Sequence, residues 1–181
     1  MSLIVEDLPL TGLKLIKPQV FSDARGYFLE IHQTHKLKDA GFSEAFVQDN
    51  LSWSRRGVLR GLHYQFPNWQ GKLVTCLQGE IFDVAVDVRR DSPSFGRWHG
   101  LRLSEANHHQ LYVPEGFAHG FCVLSQTAQV LYKVTGFYRP EQEHTILWND
   151  PALAIAWPVT EPLLSAKDAQ GKPFREAVIP G

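Results

Sequence analysis

The sequence predicts an all-β fold, a sandwich or barrel of short strands, and two features carry that expectation. Turn residues recur at short intervals, at Pro18, Asp23 to Gly26, Gly57, Pro67 to Gly71, Gly79, Pro93 to Gly96, Pro114 to Gly116, Gly136 and Pro140. The runs between them are rich in Val, Ile, Leu, Phe and Tyr, the residues that suit a pleated, half-buried surface. The clearest is IFDVAVDVR, residues 81–89, where alternation puts Phe82, Val84, Val86 and Val88 on one face and Asp83 and Asp87 on the other.

Helical signals are thin. Thr34 is expected to cap a helix over HKLKDA, with Gly41 ending it in the left-handed conformation. A second short helix is expected in SAKDAQ, and from Pro158 onward strand character is lost, so the C-terminal stretch reads as an arm packed over the barrel. With 181 residues, 44% hydrophobic and 12% aromatic, the chain supports one well-buried core, and residues 1–181 are expected to form a single domain.

Charge excludes some function classes. The net charge is −1 and no long block of Lys or Arg occurs, so a surface for tracking nucleic acid has nothing to run along, and any anion bound is small. The opening MSLIVEDLPL lacks the basic and apolar regions of a secretion signal, and no run of ~18 apolar residues offers a membrane span. A soluble cytoplasmic protein is the expectation. Cys76 in KLVTCLQG and Cys122 in HGFCVLS sit inside apolar strand-like runs, which favours buried reduced thiols over a disulfide.

Chemistry concentrates in two stretches. GVLRGLHYQ, residues 57–65, sets Arg60 and His63 among aliphatic neighbours, and His63 reads as a metal ligand, a catalytic base or a hydrogen-bonded core histidine. PEGFAHGF, residues 114–121, matches the second half of the cupin signature, P-x-G-x-x-H, at Pro114, Gly116 and His119. For the first half, G-x5-H-x-H followed by Glu, Gly57 and His63 fit, but Gln65 stands in the second histidine's place and no Glu follows. A mononuclear metal site needs roughly three convergent protein ligands, so two histidines make a poor one. The chain resembles a cupin, implying a β-barrel or jelly roll that has lost its metal ligands and kept a polar pocket in the barrel mouth. Metal-free catalysis therefore ranks above metal binding.

The resemblance narrows when DARGYFLE (23–30), FVQDNLSWSRRGVLRGLHYQ (46–65), GKLVTCLQGEIFDVAVDVR (71–89), VPEGFAHGF (113–121), ILWNDP (146–151) and LLSAKDAQGK (163–172) are read together. These segments, spread over nearly the whole chain, resemble the dTDP-4-dehydrorhamnose 3,5-epimerase family, cofactor-free cupin enzymes of dTDP-L-rhamnose synthesis. The family substrate is dTDP-4-dehydro-6-deoxy-D-glucose, whose C4′ ketone acidifies the protons on C3′ and C5′. Epimerisation there needs a base, an acid on the opposite face and a group to hold the enolate.

The resemblance implies His63 as the base, oriented by Asp168, and Tyr132 as the acid that returns the proton. It places Lys72 beside the C4′ oxygen, where a fixed ammonium stabilises developing negative charge. His119 is expected either to donate to the sugar or enolate or simply to close its turn, and Arg60 to hold the diphosphate. Arg25, Glu30, Gln48 and Asn50 match nucleotide contacts, and Glu143 and Lys167 further substrate contacts. Tyr138 matches only loosely and stays outside this set. Strict alternation puts Arg60 and His63 on opposite faces of a strand, a conflict that a bulge at Gly61 would resolve. The resemblance further implies a homodimer whose N-terminal segment exchanges between subunits, so that each pocket borrows residues. Three other readings remain: a mono-epimerase or related dTDP-keto-sugar isomerase on the same scaffold, a metal-dependent cupin, and a nucleotide-sugar binding module without catalysis.

Overall fold

The computed structural model describes residues 3–177. Among them the chain forms β1 (Leu3–Asp7), β2 (Lys14–Pro18), β3 (Val20–Asp23), β4 (Gly26–Leu29), α1 (Thr34–Asp39), β5 (Gln48–Arg55), β6 (Leu59–Gln65), β7 (Lys72–Gln78), β8 (Glu80–Asp87), β9 (Trp98–Ser104), β10 (Gln110–Val113), β11 (Phe117–Val123), β12 (Thr127–Val134), β13 (Glu143–Thr145) and α2 (Ala166–Ala169). Two antiparallel sheets face each other, β1-β2-β10-β7-β12-β5 and β13-β6-β11-β8-β9, while β3 and β4 make a separate hairpin. Most strands in each sheet lie beside partners distant in sequence, so the architecture is all-β, as the turn spacing anticipates, and a jelly roll, as the cupin resemblance implies. No helix among the described residues is long and apolar enough to cross a membrane.

The inner faces of the two sheets supply the main core. Val74, Cys76, Ala128 and Val130 from one meet Ile81, Ala85, Leu103, Phe117 and Val123 from the other. Alternation along β8 holds, and its orientation is informative: Val84 and Val86 turn away from this core, so Asp83 and Asp87 turn into it. Neither face of β8 meets solvent, because the later chain covers the valines. Ile146 and Leu153, with Ile155, Trp157 and Phe174, pack there, and bridges Val58–Leu163 and Ile146–Lys172 pin this arm to the sandwich. The covering segment thus starts before Pro158, in a stretch whose apolar residues belong to the sheet surface they shield.

The other outer face is covered by α1 and its flanks, through Leu37 and Phe42 against Ile16, Leu73 and Tyr112. Thr34 is the first helical residue and not the cap. Gln33 caps instead, its side chain accepting from Lys36 N at 2.8 Å. Gly41 ends the helix as expected, at φ +88°, with Gly41 N donating to Lys38 O and Phe42 N to Leu37 O. Cys76 and Cys122 are free and buried, and burial pushes their thiols up to about 12 and about 11.

One irregularity positions the functional side chains. His63 of β6 pairs with His119 of β11, yet Arg60 pairs with Phe121, so three steps on β6 span two on β11. The extra residue sits beside Gly61, at φ +113°, where a Cβ would lie 2.6 Å from Gly120 Cα and from His119 O. Arg60 and His63 therefore share the inner face, and the parity conflict disappears. Gly61→Ala is expected to lower stability by at least ~3 kcal/mol or prevent folding, since neither backbone conformation nor space admits a methyl. Urea denaturation of the variant checks this.

A buried carboxylate anchors the far end of β8. Asp87, fully buried, accepts from Arg89 N, Nε and Nη2 at 3.0, 2.9 and 2.7 Å and from Ser92 and Ser94 Oγ at 2.6 Å each. Burial acts to raise its pKa, but the bonds from Arg89, Ser92 and Ser94 prevail and hold it at about 2. Because that lies below the unfolded value of ~4, the stabilisation is complete above pH ~4 and is lost as pH falls through about 2. Asp87→Asn is expected to cost about 2–4 kcal/mol at neutral pH, with the deficit shrinking in acid, as measured by urea titrations at a series of pH values.

Candidate active site

A cavity of about 330 Å³ opens between β5 of one sheet and β13 and β6 of the other. Its wall is polar because inward positions of several strands carry polar residues: Asn50 and Ser52 on β5, Lys72 on β7, His119 on β11 and Tyr132 on β12. Arg60 and His63 join them through the bulge.

His63 is the most constrained of these. Its Nε2 lies 2.5 Å from Asp168 Oδ1, while Nδ1 faces Glu143 Oε1 at 3.8 Å. Asp168 is buried and held from several sides: Ser165 Oγ donates to Oδ2 at 2.7 Å and Gly61 N to Oδ1 at 3.3 Å. Ser165 also caps α2, accepting from Asp168 N at 3.1 Å, so the S-x-x-D spacing fixes the carboxylate on the first turn. Burial acts to raise the Asp168 pKa, yet the bonds from His63, Ser165 and Gly61 outweigh it and keep it below the ordinary carboxylate value. With Asp168 ionised, Nε2 carries the imidazole proton and Nδ1 is left as a free base toward the cavity.

Across the cavity, Lys72 is buried with Nζ 3.3 Å from the His63 carbonyl oxygen. Burial lowers its pKa to about 8, against the raising effects of Glu143 and Asp83. Tyr132 is half-buried, and burial moves its phenol above its ordinary value, so it stays protonated at neutral pH. Arg60 Nε donates to Ser54 Oγ at 3.0 Å, which steadies the guanidinium at the wall. His119 lies within β11 and closes no turn; its Nε2 sits 2.9 and 3.0 Å from the two oxygens of Asp83. Burial lowers the pKa of its ring, so it is neutral.

The rim is organised by Glu143. Tyr138 Oη donates to it at 2.5 Å and Lys167 Nζ donates to the same oxygen, gathering two side chains from separate segments over the opening. Gln48 joins the same rim, donating to Asn50 Oδ1 at 2.8 Å and accepting from Tyr138 N at 3.1 Å. Arg25 and Glu30 do not reach the cavity within one chain. Arg25 is exposed on the β3–β4 turn and paired with Asp23 at 2.6 Å, and Glu30 pairs with Lys36. Gln65, in the position of a cupin metal ligand, spends its amide on backbone: it donates to Asn68 O at 2.5 Å and accepts from Arg139 N at 2.7 Å. Among the described residues no group of three or more His, Cys, Asp or Glu is arranged to hold a metal ion.

Tyr138, Asp83 and Ser52 belong to this region although the set read from the sequence omits them. The alternation of IFDVAVDVR signals that Asp83 shares a face, but not that the face is the inner one. Ser52 Oγ is buried at the cavity wall without a hydrogen-bond partner, and nothing in its local sequence separates it from an ordinary strand serine.

The dTDP-4-dehydrorhamnose 3,5-epimerase family profile matches residues 7–176. Relatives of that name from Neisseria gonorrhoeae and Pseudomonas aeruginosa are each 55% identical over 172 residues, 94% of this chain. The match spans 52% of the Neisseria protein, about half its length, and 95% of the Pseudomonas one. A crystal structure of the Legionella pneumophila dTDP-6-deoxy-D-glucose-3,5-epimerase, in complex with dTDP-4-keto-L-rhamnose, superposes with a TM-score of 0.94 at 48% identity, covering 97% of this chain and 94% of that one. By profile, identity and fold together, the chain belongs to the dTDP-4-dehydrorhamnose 3,5-epimerase family.

Proposed function

We propose that this protein inverts C3′ and C5′ of dTDP-4-dehydro-6-deoxy-D-glucose, giving dTDP-4-dehydro-L-rhamnose for dTDP-L-rhamnose synthesis. The observation that carries the reading is His63, tied at Nε2 to Asp168 with Nδ1 open to a cavity that also holds Lys72 and Tyr132. His63 Nδ1 removes the proton from carbon, the electron pair moves onto the C4′ oxygen, and the Lys72 ammonium holds the resulting enolate. Asp168 and the nearby Glu143 stabilise the imidazolium formed. Tyr132 delivers a proton to the opposite face, which inverts the carbon. No cofactor enters, since the substrate ketone itself stores the electron pair.

Arg60 takes the diphosphate, Gln48 and Asn50 the nucleotide, His119 the sugar, and Glu143 and Lys167 the rim of the substrate. Arg25 and Glu30 serve the cavity of a second copy in a homodimer with exchanged N-terminal segments. Exposed Phe21, Tyr27 and Phe28 on the β3–β4 hairpin, and exposed Leu51 and Trp53 on the edge strand β5, support that assembly, because apolar surface of this kind favours burial against another chain. Two free cysteines suit a reducing cytoplasm.

Proton NMR of the substrate with the protein in D₂O and EDTA tests the reading. Loss of both the C3′ and C5′ signals with formation of the L-lyxo product is expected. Loss of one alone identifies a mono-epimerase, and loss of neither overturns the assignment. His63→Ala is expected to abolish exchange, whereas Tyr132→Phe permits some exchange and impairs net inversion; full activity without His63 removes it as the base. Since Lys72 titrates at about 8, kcat is expected to decline as pH rises through that value and the ammonium is lost. A rate still climbing at pH 9 would refute its role at the enolate.

A further inference from the structure

His63 and His119 stand opposite each other on paired strands, and each places Nε2 on a buried carboxylate. The two dyads differ in what lies around them. Asp168 comes from α2 and serves a ring that is 27% exposed on its side chain, while Asp83 is fully buried on β8 and serves a ring only 7% exposed. Asp83 does not line the cavity, so it acts on a substrate only through His119.

We propose that Asp83 is a positioning residue that fixes the tautomer of His119, taking Nε2–H between its two oxygens so that Nδ1 meets the cavity as a hydrogen-bond acceptor. The inference rests on the epimerase reading for its consequence: a ring with only an acceptor free cannot donate to an enolate oxygen, and it can accept from a sugar hydroxyl. This revises the expectation that His119 donates to the sugar or enolate. It also divides the labour of the cavity, leaving the enolate to Lys72 and a hydroxyl to His119. The geometry supports it in two ways. Both Asp83 oxygens lie within 3.0 Å of Nε2, so that nitrogen has no room for a lone pair facing a carboxylate. Burial, with the charge of Lys72 nearby, disfavours the imidazolium against the pull of Asp83, so the ring is neutral and has one proton to place.

Imidazole ¹⁵N–¹H correlation spectra of the full-length protein test the assignment without requiring turnover, with the His119 signals identified by their loss in His119→Gln. The expected wild-type signature is a protonated Nε2 and an unprotonated Nδ1 at pH 7. An imidazolium, or a proton on Nδ1, overturns the proposal. Asp83→Ala is expected to lose that signature and to reduce kcat by at least roughly tenfold, as one lost hydrogen bond to the substrate implies, while dTDP Kd stays unchanged. Asp83→Asn, whose Oδ1 still accepts from Nε2–H, is expected to restore both, and an Asn variant as impaired as Ala shows that charge and not tautomer matters, which also overturns it. If Asp83→Ala does not fold, the wild-type spectrum and the Asn variant decide. A wild-type protein that shows the expected tautomer but exchanges no substrate protons refutes the epimerase reading and leaves the tautomer assignment standing.

Discussion

The close approach of β6 to β11 at Gly61 and Gly120 is the constraint on which the site depends. A Cβ on Gly120 would lie 2.7 Å from Arg60 O, and one on Gly61 would lie 2.6 Å from Gly120 Cα, so both strands need a bare backbone where they meet. That contact admits the extra residue on β6 that turns Arg60 and His63 to the same side. It also aims Gly61 N at Asp168 Oδ1, 3.3 Å away, so the same irregularity that orients the histidine helps hold its carboxylate. Without it, a regular strand would send either the proposed base or the proposed diphosphate ligand into the outer layer, where Leu62 and Tyr64 pack.

The interior holds several carboxylates, and Asp83, Asp87 and Asp168 are each matched by hydrogen bonds. Asp87 is paired with Arg89 and two serines, Asp83 is hydrogen-bonded to His119, and Asp168 to His63, Ser165 and Gly61 N. Buried ions left alone carry a penalty of several kcal/mol each, so these partners are what allow a polar cavity inside an apolar shell. Lys72 is the exception that the chemistry exploits. Its Nζ donates to a backbone oxygen at 3.3 Å, and burial outweighs the neighbouring carboxylates, which leaves an under-compensated ammonium facing the cavity. Such a group gains most when a negative charge forms beside it.

Much of the architecture was legible in the chain itself. The turn spacing and the runs of β-branched and aromatic residues imply an all-β sandwich or barrel, Gly41 ends α1, and the short helix expected in SAKDAQ is α2. Other features were not. Thr34 reads as a cap by residue type, yet Gln33, a less common capping residue, takes the position because its side chain reaches Lys36 N. The apolar residues from Ile146 to Trp157 resemble continued sheet by composition, and only their packing against Val84 and Val86 makes them a cover.

The site divides along the same line. The order of the chain places His63, His119, Lys72 and Asp168 in segments that resemble one family, and that resemblance, with Tyr132 added by it, is what marked them as a site. Tertiary structure decided which of them meet. Asp168 reaches His63 across 105 residues and His119 reaches Asp83 across 36, contacts that no local pattern encodes. It also decided that Arg25 and Glu30 stay away from the cavity of their own chain, and that the aspartates of β8 point inward. The physical reason is that a strand specifies two faces but not which faces the core. That choice is made only when the opposing sheet, the covering arm and the Gly61 bulge are all in place.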